Sequence, residues 1–590
     1  EIAESLQKVE RRFPLWSAMG GIRRGASQIP AQLSCAGLLL VMAINLLSVI
    51  ARKSITIDET LIIPSGYYYL KSRTFYIEPD HPTLSKLLTG LPLIFLPLET
   101  PELADLNREP SADQTIIAAN RFWTTNQHHF ESIFFWSRVP MVILTLLLGA
   151  LIFGFARQLF NVRTALLAVA LFSFEPTILA HGRVVKDIHV AFVYLLFYFA
   201  LYLYGSKPTV RRALWLGLAC GLALIAKYSM MILLPVLLLA FCFFALRPPA
   251  GAGRRQILVH FLIIAFSSLL IVKASYLFTH QPLIAADIEA VTRDDPERSS
   301  MLLSALKFSS PFIPPYFVYG VYRTFIHNDV GHSAFLLGTY SDKGWWYYFP
   351  VAFALKTTIP FLFITLVSLG WAVFGAIRRD VRFMILLAPA VIYALMSMFA
   401  SINIGIRHFL PVFPFLLILG GALLDQLLRA QRNYWMVALV VALLGACVIE
   451  AVRAYPDYIP YMNQFASGRP GWEYLSDSNV EWGDDAGAVA EYLKERGETS
   501  VRASFLGGSM LLPLYGVEYI DLLSPPGASL PETRYIALGA SFLNGSTVPG
   551  WSEGSGRETK EQRRNFFAEY RGRRPEAIFG NSIYLVRVSE

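Results

Sequence analysis

Runs of apolar residues recur along the chain at 33–51, 139–156, 165–180, 188–204, 213–226, 230–246, 257–278, 349–377, 383–400, 409–428 and 435–452. A helix rises about 1.5 Å per residue and needs roughly 20 apolar residues to cross about 30 Å of hydrocarbon. The pattern predicts a polytopic α-helical membrane protein of about 11 spans.

The polar connections between the runs carry the topology. Taken alternately, one set holds Arg157 and Arg163; Lys207, Arg211 and Arg212; Arg247, Arg254 and Arg255; Arg378, Arg379 and Arg382; and Arg429 and Arg432. The other set of short connections holds only Arg183, Lys186, Lys227 and Arg407. The tail before the first run, with Lys8, Arg11, Arg12, Arg23 and Arg24, belongs with the first set. Cytoplasmic loops concentrate Lys and Arg, so the N-terminus is expected inside and the C-terminus outside. The tail has no cleavable signal pattern, and the first run reads as a retained span.

Three long segments then fall on the outer side. The first, 52–138, is rich in Pro, Tyr and Trp and contains an apolar piece, 86–98, too short to span and expected at the interface. The second, 279–348, has a charged stretch at 292–298 and an aromatic patch, Trp345-Trp346-Tyr347-Tyr348, of the kind that sits at headgroup level. The third, 453–590, holds no spanning run; a helical pattern near 485–496 alternates with strand-like runs at 501–506, 535–538 and 582–588. Residues 1–452 thus read as a transmembrane module with outer loops 52–138 and 279–348, and residues 453–590 as an extracytoplasmic α/β domain. There is no internal repeat.

Composition agrees. Of 590 residues, 54% are hydrophobic and 16% charged, against roughly a quarter charged in soluble domains; the mean hydropathy is +0.46. A net charge of +8 would suit a nucleic-acid binder, but the cations sit where topology puts them, facing anionic inner-leaflet lipids. Cys35, Cys220, Cys242 and Cys447 all lie in apolar runs without metal-ligand spacing, so single thiols packed as small hydrophobes are expected.

Candidate chemistry gathers on the outer side. Asp58-Glu59 follows the first run almost at once, then Tyr67-Tyr68-Tyr69, and then His81-Pro82-Thr83-Leu84-Ser85-Lys86. Asp187 lies between the third and fourth runs, where it reads either as an i,i+4 salt bridge to Arg183 or as part of a site, because charges near a membrane are paired, at span ends or functional. Arg407-His408 reads either as a snorkelling span end or as a phosphate clamp, guanidinium matching phosphate in a bidentate way. Glu481, Asp484 and Asp485 read as capping residues of the following helix, and the basic run 557–574 as a solvated helix face. No GxGxxG, Walker-type, His-Glu-x-x-His or Gly-x-Ser-x-Gly motif occurs in a supporting context.

These residues resemble the lipid-carrier-dependent glycosyltransferases of the C superfold, which include protein O-mannosyltransferases and lipid A aminoarabinose transferases. The likeness rests on Asp58-Glu59, on His81-Pro82-Thr83-Leu84-Ser85-Lys86 with Thr83 in place of a second proline, and on Pro176, Arg183 and Asp187. It also takes in Asn403-Ile404-Gly405-Ile406-Arg407-His408 and Asp477-Ser478-Asn479-Val480-Glu481-Trp482-Gly483-Asp484-Asp485. The resemblance implies a polyprenyl-phosphate sugar donor and a protein, lipid or glycan acceptor at the outer face of a bacterial inner membrane. Asp58 is implied as general base for an inverting displacement. Asp187 or Glu59 would orient the acceptor or hold a divalent cation, and His81, Lys86, Arg183, Tyr67, Arg407 and His408 would bind substrate. The rival readings are a secondary transporter, which would show repeated halves and midplane sites, and another lipid-linked class, such as a glycan ligase or a phosphoethanolamine transferase.

Overall fold

A computed structural model describes residues 29–103, 110–249, 251–294, 296–429, 434–523, 531–548 and 560–588. The tail cations Lys8, Arg11, Arg12, Arg23 and Arg24, together with Arg432 and the start of the basic run 557–574, lie outside the described residues. Among the described residues, nine helices are long and apolar enough to cross a membrane. They are Ile29–Ile50, Gln127–Leu159, Ile188–Ser206, Tyr228–Leu246, Arg254–Ser275, Ile359–Ile377, Val381–Met398, Ile406–Arg429 and Tyr434–Ala454. The protein is a multi-pass membrane protein.

The two remaining apolar runs are helical but shorter. The run 165–180 folds as Val162–Ser173 and then Pro176–His181. Proline pushes the residue before it out of the helical region, and Glu175 is extended, with φ −84° and ψ 116°. The run 213–226 forms Val210–Leu224. The run 349–377 also breaks, at Thr357-Thr358, into Tyr348–Lys356 and Ile359–Ile377.

Outward faces are apolar, as lipid requires: Leu40, Val41 and Ile44 on the first span, and Leu239, Phe266 and Leu366 on later ones, are exposed. Ile406–Arg429 runs through the middle of the bundle, with every residue from Phe413 to Asp425 buried. A helix apolar all round is one packed all round.

The segment after the first span folds into helices Ile57–Ser72 and Thr83–Leu93, which touch through backbone. A Cβ on Gly66 would overlap the carbonyl of Lys86, and one on Gly90 would overlap Gly66, so only glycine permits this crossing.

The C-terminal segment carries a five-stranded sheet in the order β4-β3-β5-β7-β6, where β3 is Ser500–Ser504, β4 Glu518–Asp521, β5 Tyr535–Gly539, β6 Ala577–Phe579 and β7 Ile583–Arg587. A short hairpin within 279–348 supplies β1, Ala334–Leu336, and β2, Thr339–Ser341. In the sheet β3 pairs in parallel with β4 and β5, while β7 runs antiparallel to β5 and β6. The helix expected near 485–496 is Ala486–Glu495. This α/β unit is fastened to the segment just after the first span by backbone bonds, Ser54 N–H to Asp484 O at 2.9 Å and Ile57 N–H to Trp482 O at 3.0 Å.

Candidate active site

Asp58 is the second residue of the Ile57–Ser72 helix, where the exposed N–H groups favour an anion. Glu59 closes that helix start: its Oε2 accepts from the backbone N–H of Thr56 at 2.7 Å, the return arm of a capping box. The two acidic neighbours then diverge. Glu59 points into the protein interior and Asp58 toward a cluster of cationic groups.

Three donors converge on one oxygen of Asp58. Arg407 Nη1 lies 2.8 Å, Lys186 Nζ 2.9 Å and Trp482 Nε1 3.1 Å from Oδ2. Arg407 also reaches Asp187 Oδ2 at 3.5 Å and stacks over the Trp482 ring at 4.3 Å. Lys227 meets Asp187 Oδ1 at 3.2 Å, and Asp477 lies at the edge, 4.0 Å from Arg407. Asp187 is buried, while the Asp58 side chain keeps 22% of its exposure. His408 is half-buried, and its Nε2 has no hydrogen-bond partner among the described residues.

Span ends bring these groups together. Lys186 and Asp187 immediately precede Ile188–Ser206, Lys227 precedes Tyr228–Leu246, and Arg407 opens Ile406–Arg429. The loop before Arg407 is held by the C-terminal segment: the Ile406 N–H donates to Asn479 Oδ1 at 2.9 Å and Ser478 Oγ to the Ile404 carbonyl at 2.7 Å.

The electrostatics follow from the geometry. Burial alone would raise the Asp58 carboxyl, but Lys186 and Arg407 outweigh it and hold the acid well below its usual range. Asp187 is also held far below the ordinary value, burial being overcome by Lys227 and Arg407. Burial lowers Lys227, and Asp187 only partly restores it.

Several residues singled out in the sequence lie elsewhere. Glu59 forms a fully buried bidentate pair with Arg138, at 2.9 Å to Nε and 2.6 Å to Nη2, and accepts the Val185 N–H at 3.2 Å. Its carboxylate anchors the loop that carries Lys186 and Asp187, and it does not face the cluster. Arg183 pairs with Asp484 at 2.7 Å. The i,i+4 bridge from Arg183 to Asp187 does not form, because residues 182–187 are turns with no shared helix face. Lys86 is buried against Glu78 Oε2 at 2.9 Å, Tyr69 OH and the His81 carbonyl. His81 Nδ1 meets Glu78 Oε1 at 2.6 Å, and Tyr67 OH donates to the Leu98 carbonyl at 3.0 Å. The capping reading of Glu481, Asp484 and Asp485 is also corrected. Asp485 heads the helix without a side-chain cap and instead engages Lys53 and Ser582, and Glu481 accepts from the backbone of Leu506 and Ser541.

Lys186 and Trp482 are the site residues that sequence reasoning passed over. In the sequence Lys186 reads only as a loop charge, although it adjoins Asp187, and Trp482 lies within 477–485 with no partner visible. The cluster does not suit a resident divalent cation. The Arg407 guanidinium stands between the two carboxylates, and among the described residues no group of three or more His, Cys, Asp or Glu is placed to hold a metal.

Residues 130–276 match the family model described as dolichyl-phosphate-mannose-protein mannosyltransferase. A search among curated proteins returns no significant match. Among solved structures, the chain is similar to ArnT from Cupriavidus metallidurans bound to undecaprenyl phosphate, at 12% identity and a TM-score of 0.46, covering 93% of this chain and 97% of that one. The apo oligosaccharyltransferase of Archaeoglobus fulgidus gives 14% identity and 0.46, covering 91% and 68%. Apo ArnT gives 15% and 0.46, covering 84% and 86%. Over residues 130–276 the chain therefore carries the sequence pattern of the dolichyl-phosphate-mannose-protein mannosyltransferase family model.

Proposed function

We propose that the protein transfers a sugar from a polyprenyl-phosphate donor to an acceptor hydroxyl or amine at the outer face of a bacterial inner membrane. The observation that carries this reading is the carboxylate of Asp58, partly open to solvent, set against Lys186 and Arg407 at the ends of spans. A base and anion-binding cations then meet at the depth where a lipid headgroup lies. The match over residues 130–276 supports the same class of donor. Residues 1–452 act as the transferase module and 453–590 as an outer domain that lends Trp482 to the site.

In the reaction, the acceptor O–H gives its proton to Asp58 as the acceptor oxygen bonds to the anomeric carbon. The bond from that carbon to the phosphate oxygen breaks, its electron pair passes to the oxygen, and the carrier phosphate leaves with one more negative charge. Lys186, Arg407 and Lys227 offer the positive field in which that charge develops. A single base and a direct displacement invert the anomeric configuration.

The test is transfer of label from polyprenyl-phosphate sugars to membrane acceptors by purified protein, wild type against Asp58→Asn. Equal transfer by both removes Asp58 as the base. Solute uptake into sealed vesicles without sugar transfer would instead establish the transporter reading.

A further inference from the structure

Three donors share Oδ2 of Asp58, and among the described residues none reaches Oδ1. A carboxylate so engaged is charged but weakly basic, because every donor that favours its ionised form disfavours taking up a proton. General-base catalysis works best when the base is near the working pH. The resting site therefore holds its base in an unreactive state.

The three donors differ in freedom. Arg407 is fixed on several sides, by Asp58, by Asp187 at 3.5 Å and by the Trp482 ring at 4.3 Å. Trp482 belongs to the buried outer-domain core. Lys186 is different: it sits on a turn, keeps 11% exposure, and Asp58 is its one ion-pair partner among the described residues. A lysine ammonium is a compact charge on a flexible stem and serves phosphate as a point charge.

Building on the reading above, we infer that Lys186 is exchanged between Asp58 and the carrier phosphate, so that donor binding itself releases the base. With the donor absent, Lys186 quenches Asp58. When the phosphate arrives, the ammonium turns to it, Asp58 retains only Arg407 and Trp482, and its basicity rises where the acceptor hydroxyl is to be deprotonated. The acceptor is activated only after the donor is in place. After transfer, the departing carrier phosphate carries the extra charge and holds Lys186 until it leaves.

The exchange requires Asp58 and phosphate to compete for one cation, and equilibrium binding reads that competition. The full chain in nanodiscs is titrated with a short-chain polyprenyl phosphate, using the neutral polyprenol as control. Asp58→Asn should bind the phosphate roughly tenfold more tightly than wild type, since one charge-assisted bond no longer competes. Lys186→Met should bind it roughly tenfold more weakly, Lys186→Arg should retain binding, and Asp58→Asn should produce no tightening in the Lys186→Met background. Unchanged or weaker binding by Asp58→Asn overturns the exchange, as does tightening that survives Lys186→Met. Melting curves confirm that each variant is folded. Phosphate-selective binding without this coupling defeats the exchange alone, whereas wild type that prefers phosphate no more than polyprenol defeats the proposed function as well.

Discussion

Trp482 Nε1 stands 3.1 Å from Asp58 Oδ2, although 424 residues separate the two in sequence. The C-terminal α/β unit thus supplies one of the donors on the proposed base, and the same ring carries Arg407. A hydrogen bond to a charged group contributes about 1.5–3 kcal/mol, and a partly desolvated cation–π contact about 1–2 kcal/mol. Trp482→Phe should keep the stacking and lose the bond that orients the Asp58 carboxylate, lowering sugar transfer even though the acid, with one donor fewer, becomes more basic. Trp482→Ala should lose both and fall further. The measurement is transfer of labelled sugar at saturating donor, and full activity in Trp482→Phe would show that the bond is idle.

The spans were legible because lipid demands apolar outer faces over a fixed thickness, and that demand is written locally. Asp58 was legible for a related reason, since an acidic pair just past a span is conspicuous. What could not be read were partners distant in the chain. Glu59 looks like a twin of Asp58 until Arg138 is placed against it. Asp484 and Asp485 look like helix caps because the capping pattern is local, whereas Arg183 and Lys53 reach them from far away. Lys86 sits in a segment whose sequence suggests a substrate-binding lysine, yet its ammonium is enclosed by Glu78, Tyr69 and the His81 carbonyl.

The Glu59–Arg138 pair is fully buried, and breaking such a pair leaves an uncompensated charge at a cost of about 3–5 kcal/mol. Glu59→Ala and Arg138→Ala should each lower the melting temperature and the yield of folded protein sharply. The double variant Glu59→Ala with Arg138→Ala should lose less than the two single changes added together, because neither charge is then stranded. Thermal unfolding in detergent reads this directly, and strict additivity would show that the two groups act independently.

Gly66 and Gly90 let the Ile57–Ser72 and Thr83–Leu93 helices touch through backbone. Gly66→Ala places a methyl against the Lys86 carbonyl, which is backbone and cannot step aside. The helices must separate, so overpacking of about 1–3 kcal/mol should appear as a lower melting temperature. Because Asp58 rides on the first of these helices, transfer activity should fall as well. A substitution in open space, Gly37→Ala, should do neither, and parallel melting curves of the two variants provide the comparison.

Glu481 gives the stability a pH dependence of its own. Burial pushes its carboxyl up to about 8, although the backbone N–H groups of Leu506 and Ser541 draw it the other way. In the unfolded chain a glutamate titrates at about 4.3, so between roughly 4.3 and 8 the folded protein binds more protons than the unfolded one. Stability must then fall as pH rises through this window, because the folded state has to expel a proton into a site that disfavours the charge. Glu481→Gln keeps the shape, accepts through one oxygen only and has no proton to lose. Its melting temperature should therefore change less between pH 5 and pH 8 than that of the wild type. Equal slopes for the two proteins would mean that Glu481 is already ionised across this range.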